Sequence, residues 1–344
     1  MHYTPRFISG LQSGISSEVI QTIDIIAEVA SELSNLISLG ELTDVLEHEV
    51  GTNADGDSQR PLDVIADEAY LQKLKGSPVK FYASEEQEEV LTINPLGNVG
   101  LAIDPLDGSS NIDTNVSIGS IFSIKPLDSN ASVSESDKHS TFCNPGTNQL
   151  AAGYIIFGPQ TVLVLTVGLG VCAYTLDRRK EKFVLSRDMI AIPVETKEFA
   201  INASNDRHWS KRMKTYIDDS VAGKSGPRGI DFNMRWVASL VAETHRILSR
   251  GGIFIYPADS RKGYEKGRLR MVYECAPIAF LIEQAGGAAT DSFNRILDLE
   301  VGELHQRTPF AFGSRNEIAR LQAYNDLPEA EVSPLFGKRG LFSN

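Results

Sequence analysis

The sequence predicts a layered α/β protein. Helix-period segments and strand-like apolar runs occur in both halves of the chain, and such a mixture buries its apolar faces by stacking sheets on helices. The 344 residues are 42% apolar, with 28 glycines and 15 prolines, which suits one large domain or two packed halves. The change of character near Glu195 divides the chain into residues 1–195 and 196–344.

Each element has its own signal. After Ser16 and Ser17, both good N-caps, apolar residues at Ile20, Ile23, Ala27, Ala30, Leu33 and Ile37 recur in steps of three and four, the period of an amphipathic helix. The polar stretch "HEVGTNADGDSQR" leads to Pro61, suited to the first turn of a second helix, "PLDVIADEAYLQKL". "VKFYAS", "VGLAI" and "VSIGSIFSI" read as strands, and Lys125 to Asn148 as a long polar surface loop. "LAAGYIIFGPQTVLVLTVGLGVCAYTL" reads as successive strands. In the second half, "RWVASLVAETHRIL" predicts a helix through Val237, Leu240, Val241 and Leu248, and "GGIFIYPAD" a buried strand. "CAPIAFLIEQAGG" predicts an apolar helix opened by Pro277 and closed by Gly286 and Gly287.

Composition excludes several classes of function. A net charge of −12 and a pI near 5.1 are a poor match for the phosphate backbone of nucleic acids. Small anions bind only where Arg or Lys is concentrated or a metal ion intervenes. No run approaches the roughly 20 apolar residues of a membrane span, and "MHYTPRFISG" lacks the basic start and apolar core of a signal peptide. Cys143, Cys172 and Cys275 are far apart and form no C-x-x-C pair, as expected of a cytoplasmic protein. "VGLGVCA" fits G-x-G-x-x-A, but the alternating "VCAYTL" after it is a strand, not the helix that fingerprint needs. Gly223-Lys224-Ser225 lacks the earlier glycine of a P-loop, Asp218 standing there instead. No H-E-x-x-H zinc motif and no G-x-S-x-G elbow is present.

What remains is acidic. Asp57 and Asp63 flank the start of the second helix, Glu85 and Glu86 close "VKFYAS", and Asp104 and Asp107 close "VGLAI". Any one pair suits a solvated turn or a cap; three pairs at element ends can share one pocket, because strand ends converge at one edge of a sheet. Two carboxylates about 4 Å apart repel by about 4 kcal/mol at an effective dielectric of 20. A hard divalent cation, Mg²⁺ or Mn²⁺ for oxygen-only ligands, removes the conflict. The N–H groups of Gly108, Ser109 and Ser110 suit phosphate oxygens. Metal, phosphate and a carboxylate base together describe phosphate-ester hydrolysis.

"DPLDGSSN" at Asp104–Asn111, "SEE" at Ser84–Glu86 and "GRLRMVYECAPIAFLIEQAGG" at Gly267–Gly287 resemble class I fructose-1,6-bisphosphatases, over about Ser16 to Arg315. The wider Li⁺-sensitive, Mg²⁺-dependent sugar phosphatase superfamily, including inositol monophosphatases, shares only the shorter D-P-[IL]-D-G-[ST] core. The resemblance implies the sugar phosphatase fold, with alternating α-β-α-β-α layers and the site where the two halves meet. It implies two or three Mg²⁺ ions per subunit, with Mn²⁺ as a substitute. Glu85, Asp104, Asp107, Glu274 and the Leu106 carbonyl match metal ligands, and Asp57 a third-metal ligand. Asp63 and Glu86 match the carboxylates that activate the attacking water. Arg270 matches the residue on the 1-phosphate, beside the Gly108 and Ser109 amides, with Ser110 next to them. Asn202, Tyr256 and Arg235 match contacts to the 6-phosphate, Arg235 reaching in from a neighbouring subunit of a homotetramer.

The implied activity is removal of the 1-phosphate of fructose 1,6-bisphosphate, a step of gluconeogenesis or the Calvin cycle. Departures fall on the sugar side. Trp236 and Asn205 replace tyrosines, Arg268 replaces a lysine near the sugar ring, and "SRKGYEKG" is longer than usual. Sedoheptulose 1,7-bisphosphate is therefore an alternative or additional substrate. A non-catalytic sugar-phosphate sensor is a second alternative, but it has no need of Asp63 and Glu86, which are both present. "LQSGISSEV" is only weakly similar to the segment that precedes the family's AMP site, and Cys143 alone in the long loop does not supply the cysteine pair of plastid redox control.

Overall fold

The computed structural model describes residues 3–11, 13–42, 51–52, 58–59, 61–127 and 134–325. In chain order its first elements are β1 (Ile8–Ser9), α1 (Ser17–Leu39), β2 (Gly51–Thr52), β3 (Ser58–Gln59), α2 (Pro61–Leu74), β4 (Val79–Ser84), β5 (Leu91–Thr92) and β6 (Val99–Asp107). Next come β7 (Ile118–Pro126), α3 (Glu135–Phe142), β8 (Ala151–Phe157), β9 (Thr161–Thr166), β10 (Val171–Asp177) and β11 (Lys182–Arg187). The rest are β12 (Glu198–Ala200), α4 (Lys211–Val221), β13 (Asn233–Met234), α5 (Leu240–Arg250), β14 (Ile253–Tyr256) and β15 (Leu269–Arg270). The chain finishes with α6 (Ala276–Gln284), β16 (Ala288–Thr290), β17 (Arg307–Thr308), β18 (Phe310–Gly313) and α7 (Arg315–Asn325).

Nine strands form one sheet in the order β1-β11-β10-β9-β8-β7-β6-β4-β5, and five form a second, β13-β12-β14-β18-β16. Successive strand residues face opposite ways, and the cores follow that alternation. Tyr82, Leu101, Ile103 and Phe122 pack with α1 and α2 on one face of the large sheet. Phe81, Ala102 and Ile121 pack from the other face with α5, α6, and Phe254 and Phe312 of the smaller sheet. The reverse of that sheet, through Ile253, Ile255 and Ala311, meets α4 and α7. The five α-β-α-β-α layers expected from the resemblance are therefore present, and both halves contribute to the middle core.

Local chemistry sets the elements. Ser16 caps α1, its hydroxyl accepting the Val19 N–H at 3.3 Å. Asp24, buried on α1, accepts the Tyr3 hydroxyl and the N–H groups of Arg6, Phe7 and Ile8 at 2.7–3.1 Å, which seats β1 against β11. Pro61 opens α2, as expected. "VGLGVCA" bridges the antiparallel pair β9 and β10, with Val171 opposite Thr166, so the dinucleotide reading fails for the expected reason.

Three expectations need correction. Strand β6 does not stop before Asp104 but continues to Asp107. The long loop is shorter than expected, because Lys125 and Pro126 belong to β7 and Glu135–Phe142 form α3. Helix α5 begins at Leu240, not near Val237, because Ser239 caps it and Ala238 takes φ 60°, a value no helix accommodates.

His245 joins α5 to the large sheet, its Nδ1 lying 2.9 Å from the Tyr154 hydroxyl. Burial lowers its pKa from 6.5 to about 4. The unfolded chain therefore takes up a proton on this imidazole before the folded protein does. Stability is complete above the unfolded pKa and falls as pH drops from about 6.5 toward 4, by about 2–3 kcal/mol from this group. Urea unfolding at pH 7.5 and pH 4.5 should show His245→Gln losing less stability than the wild type; equal losses contradict the assignment.

Candidate active site

Strands β4 and β6 are parallel neighbours, with Ser84 opposite Ile103, so both chains leave the sheet at the same end. The Glu85 N–H donates to the Ile103 carbonyl at 3.0 Å, which keeps Glu85 beside Asp104. Between Asp104, opposite Ile121, and Asp107, opposite Gly119, β6 holds one residue more than β7. This bulge re-aims the two carboxylates. The Ser120 hydroxyl fixes it by donating to the Pro105 carbonyl at 2.8 Å, and Tyr70 of α2 donates to Ser120 at 3.1 Å. The Leu106 N–H donates to Asp104 Oδ1 at 3.0 Å.

Asp107 rests on the start of α5. Its Oδ2 accepts the Val241 N–H at 2.9 Å and the Ser239 hydroxyl at 3.1 Å, where unpaired N–H groups and the helix dipole favour an anion. Helix α5 approaches this closely because residue 119 is glycine; a Cβ there would lie 2.2 Å from the Ile155 carbonyl oxygen and 2.7 Å from Val241 Cγ1. Glu274 arrives from the other half of the chain. Met271–Cys275 wind as one wide π-type turn ahead of α6, a departure from α geometry frequent at functional sites. Within it, Glu274 Oε2 accepts the Arg270 N–H at 2.5 Å.

Asp104, Asp107 and Glu274 are all buried, and one oxygen from each lies within 4.8 Å of the others. Burial raises the pKa of all three, and the charge of Glu85 adds to the rise. Asp107 reaches only about 6, because the Val241 N–H and the Ser239 hydroxyl support its anion. Glu274 is partly relieved by the positive charge of Arg270, whose guanidinium also engages Glu85 directly. A buried, oxygen-only set whose members resist ionising together fits a hard divalent cation.

Asp63 is buried in the first turn of α2. One turn on, Asp67 accepts the Tyr82 hydroxyl at 2.6 Å and Gln87 Nε2 at 2.5 Å, tying α2 to the Glu85–Glu86 turn. Sequence reasoning passed over Asp67, although a second carboxylate four residues after Asp63 falls on the same helix face. It also passed over Ser239 and Tyr70. Asp57 lies outside the described residues.

Gly108 has φ +76°, and Ser109–Asn111 form a short turn behind it. The leading N–H groups of such a turn have no partner within it. Asn111 Nδ2 donates to the Ala238 carbonyl at 3.1 Å and, more weakly, toward that of Val237 at 3.4 Å, so the turn is held against the start of α5. A shallow surface depression is lined by Asn202, Asn205, Trp209, Tyr256 and Asp259. Asn202 and Tyr256 share this lining. Arg268 lies 4.8 Å from the Tyr264 ring. Trp236 stacks on Phe254 at 5.9 Å and is not in that lining, and half-exposed Arg235 pairs with Glu198 at 3.6 Å.

The layers are those of a sugar phosphatase. Family models described as the N-terminal and C-terminal domains of fructose-1-6-bisphosphatase match residues 6–188 and 192–326. The chain is 56% identical over 328 residues to a Cereibacter sphaeroides protein named fructose-1,6-bisphosphatase class 1, covering 95% of this chain and 96% of that one. A Bradyrhizobium protein of the same name is 54% identical over 336 residues, covering 98% and 96%. The crystal structure of Leishmania major fructose-1,6-bisphosphatase in holo form superposes with a TM-score of 0.86 at 36% identity, over 92% of this chain and 96% of that one. This chain belongs to the fructose-1,6-bisphosphatase family.

A Cβ at Gly108 would lie 3.1 Å from Ser239 Cβ, on a backbone that disfavours any side chain. Gly108→Ala should therefore cost about 1–2 kcal/mol in urea unfolding; an unchanged midpoint contradicts this packing.

Proposed function

We propose that the chain hydrolyses the 1-phosphate of fructose 1,6-bisphosphate, giving fructose 6-phosphate and phosphate. The observation that carries the reading is the convergence of buried Asp104, Asp107 and Glu274 beside the Gly108–Asn111 turn and Arg270. Glu85, Asp104, Asp107, Glu274 and the Leu106 carbonyl are the residues that would hold Mg²⁺, with Mn²⁺ as a substitute, and Asp57 would add a ligand for a third ion. Bound there, such ions neutralise charge on the transferring phosphoryl group and lower the pKa of a water poised for in-line attack.

The chain's own residues do the remaining work. Asp63 and Glu86 activate the attacking water, a carboxylate oxygen of one of them taking its proton as the new P–O bond forms. The P–O bond to the sugar breaks, and the leaving sugar oxygen takes up a proton from solvent. The N–H groups of Gly108, Ser109 and Ser110 and the Arg270 guanidinium hold the 1-phosphate oxygens, so Arg270 divides its hydrogen bonds between Glu85 and substrate. Asn202, Tyr256 and Arg268 hold the sugar and distal phosphate.

We further propose an active site at the junction of residues 1–195 and 196–344, in a cytoplasmic homotetramer. The exposure of Arg235 supports a reach into a neighbouring subunit. No helix among the described residues is long and apolar enough to cross a membrane. The pathway reading is gluconeogenesis or the Calvin cycle. Trp236, Asn205 and Arg268, which depart from the family's pattern, support a second reading in which sedoheptulose 1,7-bisphosphate is also hydrolysed.

Phosphate release with Mg²⁺ from the two bisphosphates side by side tests substrate choice: the fructose ester should be cleaved at least as fast, and inactivity on it overturns the reading. Asp63→Asn and Glu86→Gln should each lower kcat by about a hundredfold or more while substrate still binds in calorimetry; full turnover in either contradicts the base assignment. Arg235→Ala should raise KM several-fold with Mg²⁺ affinity unchanged, and an unaltered KM argues against its reach into a neighbour.

A further inference from the structure

The segment between β14 and β15 links Arg268 to Asp259, Arg261 and Tyr264, three residues that the mechanism above does not use. Asp259 is in the lining of the surface depression with Asn202, Asn205, Trp209 and Tyr256. A bare carboxylate there would repel a phosphate. Arg261 instead covers it: Asp259 Oδ1 accepts the Arg261 backbone N–H and Nε, both at 3.0 Å, and Oδ2 accepts Nη2 at 2.5 Å. This hydrogen bonding holds the Asp259 carboxyl below the usual carboxylate range, so the acid stays ionised with its charge opposed by a fixed cation.

Arg261 is in turn fixed by an aromatic ring. Its guanidinium lies 4.0 Å from the centre of Tyr264, and that of Arg268 lies 4.8 Å from the same ring, both within cation–π range. The backbone of Tyr264 closes the segment, its carbonyl accepting the N–H groups of Asp259 at 3.2 Å and Gly267 at 3.0 Å. The Ser260 N–H donates to the His208 carbonyl at 3.3 Å, docking the segment against the turn that carries Asn205. Gly267, at φ +83°, passes so close to β17 that a Cβ would lie 2.3 Å from the Thr308 carbonyl carbon. The chain Asp259, Arg261, Tyr264, Arg268 therefore runs from the wall of the depression to the arginine beside Tyr256.

We infer that Tyr264 is a positioning residue for the distal phosphate: its ring sets the Arg268 guanidinium, and through Arg261 it keeps the charge of Asp259 masked. The inference rests on the bisphosphatase reading, in which the depression receives a sugar phosphate. The hydroxyl of Tyr264 has no part in it; the face of the ring does. Phenylalanine should therefore serve and alanine should not.

Calorimetric binding of fructose 6-phosphate, together with kcat and KM on fructose 1,6-bisphosphate, tests this. Tyr264→Ala should weaken fructose 6-phosphate binding and raise KM by about tenfold, with kcat within about twofold, while Tyr264→Phe keeps wild-type values. Arg261→Gln should also weaken binding, and the double variant Arg261→Gln/Asp259→Asn should recover it, because the unmasked charge has been removed. This pair tests the same chain of contacts if Tyr264→Ala fails to fold. Wild-type affinity in Tyr264→Ala, equal damage in Tyr264→Phe, or no recovery in the double variant overturns the inference. A wild-type protein that binds fructose 6-phosphate but does not cleave the bisphosphate overturns the proposed reaction and leaves the inference standing if the variants bind as stated. Failure of the wild type to bind fructose 6-phosphate overturns both.

Discussion

Mutual repulsion among buried carboxylates is the constraint around which this molecule is arranged. Asp104, Asp107 and Glu274 are brought together out of water, where each charge loses hydration and faces two others of like sign. A fold keeps such a cluster only if other groups hold it in place. Three devices do so here: the N-terminus of α5 under Asp107, Arg270 between Glu85 and Glu274, and the hydroxyl chain from Tyr70 through Ser120 to the Pro105 carbonyl. The first two come from the layer between the two sheets and the third from α2 on the far face of the large sheet, so the cluster is held from both faces of that sheet.

The same logic separates the two ends of the site. The buried carboxylates are held by backbone N–H groups together with the side chains of Ser239 and Arg270, all anchored in packed elements. In the segment between β14 and β15, by contrast, side chains hold one another: Asp259, Arg261, Tyr264 and Arg268.

Much of this was legible in the sequence because the relevant signals are local. Pro61 fixed the start of α2, alternation identified β9 and β10, and acidic pairs behind apolar runs marked one sheet edge. The failures were of two kinds. The bulge at Asp104–Asp107 depends on the register of β6 against β7, and the late start of α5 on Ser239 meeting Asp107, 132 positions away; neither is a local signal. Asp67 and Tyr70 sit on the α2 face that also carries apolar residues, so periodicity alone passed them over as ordinary helix positions. Arg270 was read for its phosphate role, and its contact with Glu85 became visible only when both were in place.

If the buried carboxylates form a site for a hard divalent cation, its occupancy stabilises the fold. The most direct test is the change in Tm when Mg²⁺ is added to chelator-stripped protein, wild type against Asp104→Asn. A ligand that binds only the folded state raises stability by about 2.7 kcal/mol at a hundred times its Kd. The wild type should therefore rise by several degrees with saturation, and Asp104→Asn should show little or none of that rise. A wild-type Tm indifferent to Mg²⁺ and Mn²⁺, or an equal rise in Asp104→Asn, would contradict the account.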